Sequence, residues 1–261
     1  MEFVETMSDL GKMKRIAVCI SGEIRTWKEV IHTWNKLIKV RNVKVDFFIH
    51  TWDTTFPSSI FMNEKREEGL TDEEIYQQYT KPVNQELLNE VLEYYKPVNY
   101  LIESPRKFIP KNREQTIFMK NHLSQYYGIM KAGRLKREYE IENDFIYDLV
   151  IRTRFDTEFK SEIIIDNNKP EMNAMYGNHY DFYFDQDYIK GRIGDIFWCA
   201  DSLTYDILSD FYMEIPNMKA YPQNTPPEFT WFNYIKKNQI KIIPNSRWYV
   251  DIFRGRDKSL I

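Results

Sequence analysis

The stretch Val150-Ile151-Arg152-Thr153-Arg154-Phe155-Asp156-Thr157-Glu158 alternates two arginines and two carboxylates directly after an apolar run. While the chain stays extended, period-two spacing sends Arg152, Arg154, Asp156 and Glu158 to one side. Acid and base together suit a metal-bound diphosphate: Asp156 and Glu158 supply hard oxygens for Mn²⁺ or Mg²⁺, and the guanidinium forks neutralise phosphate oxygens. A surface ladder of salt bridges is the other reading of the same pattern. Charges at the mouth of a core strand need partners, which favours a site.

Two further stretches carry weaker signals. Ser21-Gly22-Glu23-Ile24-Arg25-Thr26 follows an apolar run, where the backbone N–H groups of a starting helix meet anions and Arg25 adds a charge-assisted contact. A plain tight turn with Ser21 or Thr26 as helix cap accounts for the same residues. His50-Thr51-Trp52-Asp53 offers an aromatic face and a carboxylate, suited to a base and a ribose, or equally to a core Trp52 and a capping Asp53. His32, His122 and His179 form no H-x-x-x-H pair, which argues against zinc. Neither Cys19 nor Cys199 has a local partner that would make it a nucleophile, and no G-x-S-x-G elbow occurs.

The elements that must position these residues follow from periodicity. RIAVCI (15–20) reads as a buried strand, and apolar positions spaced by three and four predict a helix over 25–39. VDFFIHTW (45–52) is a second strand, so the three make a right-handed parallel βαβ unit. Residues 53–70 read as loop, broken by Pro57 and Ser58-Ser59; Thr71 and Asn84 read as N-caps of two short helices. A short strand is expected at 98–103 and a long helix at 116–142, with Lys136 and Glu140 paired at helical spacing. The charge run 136–144 reads as a solvated helix end. FIYDLVIRTRFD (145–156) is the next strand, and its carboxyl end is where open α/β sheets bind ligands. Short strands at 182–184 and 193–200, helices at 202–213 and 228–238 and a strand at 239–244 complete an α/β pattern, expected to form a three-layer α/β/α fold with a mostly parallel sheet. Residues 1–13 read as an extension without a clear period.

Composition narrows the chemistry. The 261 residues include only 9 glycines, about half of average usage, and neither G-x-x-x-x-G-K-[ST] nor G-x-G-x-x-G can be written from them. A formal net charge of −3 gives no global drive toward nucleic acid or an anionic membrane. Both cysteines sit in apolar runs and are expected reduced, which fits a cytoplasmic protein. No apolar run reaches the length of a bilayer span, and the amino terminus lacks the layout of a signal peptide.

Taken in order, KRIAVCISGEIRTW (14–27), VDFFIHTWD (45–53), the stretch from SQYYGIMKAGRLKREYE (124–140) to YDLVIRTRFD (147–156), GDIFWCAD (194–201) and PPEFTWFNYIKKNQIKI (226–242) resemble the small GT-A-fold glycosyltransferases of bacterial polysaccharide clusters and viruses. The resemblance spans about 14–245. It implies one GT-A-like domain over 14–261, with a nucleotide-binding half (14–156) and an acceptor-side half (157–261). It implies transfer of a hexose from a nucleotide-sugar, expected to be a UDP-sugar, to a glycan or other hydroxyl acceptor. The group's D-x-D metal motif corresponds to Asp156-Thr157-Glu158, a D-x-E, so Asp156 is the better ligand. Ser21, Gly22, Glu23, Arg25, Thr51, Trp52 and Asp53 would line the nucleotide. Asp195 would stand near the donor sugar, and Glu228, at a helix start, near the acceptor. The group's late metal-binding histidine has no counterpart, since none follows His179; Arg247, Arg254 or Arg256 is the replacement expected at the diphosphate.

Two other readings stand beside this one. The D-x-E departure and the missing histidine suit a GT-A-like module that binds a nucleotide-sugar or glycan without catalysis. Ser21-Gly22 with Arg25-Thr26 is also similar to a sulfonate-donor loop.

Overall fold

The computed structural model describes residues 15–24, 26–37, 43–56, 59–105, 118–163, 169–178, 182–184, 191–215 and 227–252. The first unit is strand β1 (Arg15–Ser21), helix α1 (Trp27–Val30), which passes into a 3-10 segment over Ile31–Lys36, and strand β2 (Lys44–Trp52). Strand β3 (Thr54–Thr55), helices α2 (Ser59–Glu67) and α3 (Asp72–Tyr79), strand β4 (Lys81–Pro82), helix α4 (Gln85–Tyr95) and strand β5 (Asn99–Glu103) follow. The long helix α5 (Phe118–Asn143) leads into β6 (Leu149–Thr153) and β7 (Thr157–Phe159). Strands β8 (Ala174–Asn178), β9 (Phe182–Phe184), β10 (Gly191–Ile193) and β11 (Trp198–Ala200), helices α6 (Ser202–Ser209), α7 (Phe211–Glu214) and α8 (Pro227–Lys237), and strands β12 (Lys241–Asn245) and β13 (Val250–Ile252) complete it.

Seven strands form the central sheet in the order β12-β8-β11-β6-β1-β2-β5, drawing on both halves of the chain. The pairs β1 with β2, β1 with β6, β2 with β5 and β8 with β12 are parallel; β11 is antiparallel to β6 and β8. Ile16 to Ile20 are fully buried, as expected of a central strand covered on both faces. One face, with Val18, Ile49 and Ile151, packs against Trp27, Trp34, Leu88, Val91 and Tyr95. The other, with Cys19, Phe48 and Val150, packs against Tyr126, Ile129, Tyr205 and Trp231 of α5, α6 and α8. Each such large apolar side chain removed from water contributes about 1.5–3 kcal/mol, which is why three layers form. The result is a three-layer, Rossmann-like α/β fold. From β1 the chain winds outward through β2 to β5 and then returns to β6 on the other side of β1. That reversal is a topological switch point, and it opens a crevice at the carboxyl ends of β1 and β6.

Several local expectations change. The helix expected over 25–39 tightens after one turn because its side chains are tied to β7. Thr33 donates to the Val30 carbonyl (2.7 Å) and accepts from the Phe159 N–H (3.1 Å), and the Trp34 indole donates to the Thr157 carbonyl (3.2 Å). The stretch read as loop over 53–70 contains α2, whose Phe61 packs on Tyr79 of α3 with ring centroids 4.9 Å apart. Thr71 forms a complete capping box with Glu74, and Asn84 caps α4 by accepting from the N–H groups of Glu86 and Leu87. The strand expected over 145–156 ends at Thr153, and the segment 193–200 is two strands, β10 and β11, rather than one. Both cysteines are buried free thiols. Among the described residues, no helix is long and apolar enough to cross a membrane.

Candidate functional site

The crevice is built from strand ends. β1 ends at Ser21, which is buried, and continues through Gly22 and Glu23. Gly22 has φ +132°, a conformation that side chains rarely adopt, and a Cβ there would meet open space. The Gly22 N–H donates to the His50 carbonyl (3.3 Å), and the Thr51 hydroxyl donates to the Gly22 carbonyl (2.9 Å). The first loop is thus braced by the end of β2. Glu23 accepts from the Phe56 N–H (3.1 Å). Arg25 lies outside the described residues, as do His179, Arg254 and Arg256.

At the end of β2, Thr51 is fully buried and Trp52 nearly so. Tyr127 of α5 stacks on the Trp52 ring, with centroids 5.8 Å and planes 16° apart, and His50 meets it edge-on at 4.8 Å. The aromatic face expected for a base is therefore occupied from inside the protein. Asp53 is held at the junction of three elements: its N–H donates to the Glu103 carbonyl, its carbonyl accepts from the Val83 N–H, and its Oδ2 accepts from Ser104. Its Oδ1 is buried with no hydrogen-bond partner among the described residues.

The same edge holds a cluster that the sequence reading missed. Glu103, at the end of β5, accepts from Tyr127 (3.0 Å), pairs with His50 Nε2 (3.1 Å) and lies 3.9 Å from Lys131. Burial pushes the Glu103 carboxyl up, but the Tyr127 and His50 hydrogen bonds and the Lys131 charge outweigh it, and it is held below its ordinary value. A Cβ on Gly128 would come within 3.2 Å of His50 and 3.3 Å of Ser21, so this glycine lets α5 descend onto both strand ends. The available signal was Glu103 itself, a carboxylate closing a predicted strand.

At the end of β6 the expected alternation breaks. The chain turns at Phe155-Asp156, and Arg154 folds onto Asp156 in a fork: Nε to Oδ1 and Nη2 to Oδ2, both 2.7 Å. The charges of Asp156, Asp195 and Glu23 together outweigh burial and hold the Arg154 guanidinium above its ordinary value. Glu158 departs from the group. It lies on β7, between buried Thr157 and Phe159, and pairs with Lys160 (2.6 Å).

Arg152 is the opposite case. Its side chain is fully buried on the α5 face, and none of its three guanidinium nitrogens has a hydrogen-bond partner among the described residues. Burial, with repulsion from Arg154, lowers it to about 10 against the attraction of Tyr205, Asp195 and Asp156. Trp198 of β11 is its cross-strand partner, and Trp231 of α8 packs against Trp198 with centroids 6.0 Å apart. Both indole N–H groups are buried without an acceptor among the described residues. Arg152 and the two indoles thus present donors that no acceptor among the described residues engages, the chemistry of an anion site.

Asp195 reaches the arginines because β11 runs antiparallel to β6, so the turn before its first residue meets the end of β6. Its charge acts on both Arg152 and Arg154. Glu228 is half-buried in the first turn of α8, one turn before Trp231 on the same helical face. Ser21, Gly22, Glu23, Arg152, Arg154, Asp156 and Asp195 therefore share one edge of the switch point. Thr51 and Trp52 support that edge from within, and Glu158 turns away from it.

The residues do not fit the divalent cation that a D-x-D motif implies. Both Asp156 oxygens are bound by Arg154, and Glu158 is paired with Lys160. Among the described residues, no three His, Cys, Asp or Glu side chains converge as a metal-binding group.

Comparison with known proteins adds no assignment: no protein-family model matches the chain, and no curated protein matches it.

Proposed function

We propose that this chain is a glycosyltransferase that moves a hexose from a nucleotide-sugar, a UDP-sugar by the resemblance to the GT-A group, to a hydroxyl of a glycan or other acceptor. The observation that carries the reading is Arg152, a fully buried guanidinium without a hydrogen-bond partner among the described residues, at the switch point of a Rossmann-like sheet. A buried cation without partners costs stability, and phosphate oxygens are the ligand whose geometry matches a guanidinium fork.

In this reading the nucleotide enters over the Ser21-Gly22-Glu23 loop, and the Asp53 oxygen without a partner among the described residues accepts from a ribose hydroxyl. Negative charge builds on the departing diphosphate as the sugar leaves. Arg152, fixed in a water-poor environment, stabilises that charge more strongly than an exposed side chain does. Asp195 orients the donor sugar, and Glu228 takes the proton from the acceptor hydroxyl if the reaction inverts the anomeric centre.

Thermal-shift measurement with UDP, GDP, ADP and dTDP is the first experiment, followed by release of nucleoside diphosphate from the corresponding nucleotide-hexose. Stabilisation by one nucleotide together with turnover is the expected result. A nucleotide-sugar-binding module without catalysis is the second reading, favoured by the closed Arg154–Asp156 and Lys160–Glu158 pairs. Binding without turnover selects the module, and no shift with any nucleotide removes both readings.

A further inference from the structure

In most members of the GT-A group that the sequence resembles, the donor diphosphate is held through a divalent cation gripped by the carboxylates of a D-x-D motif. Here the leading carboxylate of the corresponding motif is closed by the chain's own guanidinium. We propose that Arg154 is a built-in cation that takes over this bridging role and, with Arg152, holds the donor diphosphate without a divalent metal. The inference rests on the nucleotide-sugar reading and deepens it.

Four observations converge on it. First, the Arg154–Asp156 contact is bidentate at 2.7 Å in both arms, and it uses one edge of the guanidinium. An arginine carries five N–H donors in a rigid fork, so the opposite edge remains for a ligand. Asp156 then acts as a positioning residue, fixing the plane in which that edge is presented.

Second, Asp195 and Glu23 add their charges at Arg154. Asp156 alone contacts the guanidinium, and the negative charges of Asp195 and Glu23 act on it from neighbouring loops. The switch-point geometry brings them together: Glu23 follows β1, Asp156 follows β6, and Asp195 precedes antiparallel β11.

Third, Asp156 is almost completely buried, at 3% exposure. Mg²⁺ sheds its waters reluctantly and usually retains several when protein-bound. A closed, guanidinium-bound carboxylate gives such a hydrated ion little access. Glu158 does not open a second route, because its β7 neighbours Thr157 and Phe159 point into the core and Glu158 points the other way, beside Lys160.

Fourth, Arg152 and the Trp198 and Trp231 indoles supply donors that lack acceptors among the described residues. Arg152 keeps its donors without an acceptor among the described residues, buried directly behind Arg154, whose partly exposed side chain keeps its outer edge for the ligand. The sequence carries both arginines two residues apart at the mouth of the central strand, as paired neutralisation of a diphosphate requires.

The test is calorimetric titration of the full chain with UDP and with inorganic pyrophosphate, first in EDTA and then with Mn²⁺, alongside binding of Mn²⁺ alone followed by electron paramagnetic resonance. UDP is expected to bind in EDTA, with affinity changed by less than about twofold on adding Mn²⁺, and Mn²⁺ alone is not expected to bind stoichiometrically. Arg154→Met should weaken UDP binding in EDTA by about tenfold or more. UDP binding that appears only with Mn²⁺ overturns the built-in cation and leaves the nucleotide-sugar reading intact. Pyrophosphate binding in EDTA without UDP binding supports the arginine pair and overturns the nucleotide. Binding of neither ligand under either condition overturns both. If Arg154→Met does not fold, the wild-type comparison in EDTA and Mn²⁺ decides the matter by itself.

Discussion

Lys136 and Arg152 are both fully buried cations on the α5 side of the sheet, yet their surroundings differ completely. Lys136 sits in a closed network. It pairs with Glu140 and with Asp206 at 2.8 Å each and donates to Ser202; Ser202 in turn donates to the second Glu140 oxygen (2.6 Å), which also accepts the Tyr147 N–H (2.8 Å). Arg137 closes the outer side of Asp206 at 2.9 Å. Arg152 has electrostatic neighbours but no hydrogen-bond partner among the described residues. Burial of charge is common to both regions, so it does not distinguish a site from a structural clasp. Satisfaction does. A buried lysine held between two carboxylates and a hydroxyl joins α5 to α6, whereas a buried guanidinium without a hydrogen-bond partner among the described residues costs stability, and in the proposed function a ligand offsets that cost.

The comparison breaks most sharply at Lys136. Lys136→Met leaves Glu140 as a buried carboxylate without its cation and Asp206 with Arg137 alone, and a loss of about 3–5 kcal/mol in urea unfolding is expected. A loss below about 1 kcal/mol would show that the network is not the clasp described.

The Glu103 cluster is intermediate, and Glu103→Ala is expected to cost about 2–3 kcal/mol by removing the acceptor shared by Tyr127 and His50. Its pH dependence has a defined sign. A carboxyl held below its ordinary 4.5 in the fold stabilises above that value and loses its contribution as pH falls through the depressed one. Melting curves of wild type and Glu103→Gln should therefore diverge at neutral pH and converge toward pH 3. A gap that persists unchanged in acid would remove the electrostatic explanation.

Arg152→Met reverses the sign seen at Lys136. Burial lowers this guanidinium from 12.5 to about 10, so the fold carries the charged form at an expense of a few kcal/mol at pH 7. A volume-matched apolar side chain should raise stability by about 1–2 kcal/mol while abolishing pyrophosphate binding. Destabilisation comparable to Lys136→Met would mean that Arg152 is a structural cation. The smallest effect is expected at Glu158: Glu158→Gln opens a partly exposed pair with Lys160 and should stay within about 0.5 kcal/mol in unfolding, with unchanged UDP affinity. A loss of UDP affinity there would restore Glu158 to the site.

Much of this molecule was legible in its residues, for reasons that differ from place to place. RIAVCI and VDFFIHTW read as strands because a doubly covered strand is a continuous apolar run, and Thr71 and Asn84 read as caps because the capping hydrogen bond is local. The charge run at 136–144 is solvated at Glu138 and over 141–144, as its composition predicts, but α6 covers the face of α5 that carries the Lys136–Glu140 pair and buries both residues. Trp52 was ambiguous as sequence, since a core ring and a stacking platform have the same composition, and Tyr127 decides between them from seventy-five positions away. The long-range bonds from Thr33 and Trp34 that tighten the first helix left no local trace.

The sequence by itself determined that strands and helices alternate, that arginines and carboxylates crowd the end of a central strand, and that glycine phosphate loops are absent. These follow from periodicity and composition, which depend on near neighbours in the chain. Only the tertiary structure decided which of those charges are paired. Arg154 and Asp156 close on each other because the chain turns after Thr153, Asp195 arrives because an antiparallel strand begins where β6 ends, and Arg152 is left beneath α5 without a hydrogen-bond partner among the described residues. Pairing is a property of distance in space, and a sheet that interleaves β1, β6 and β11 sets those distances independently of separation along the chain.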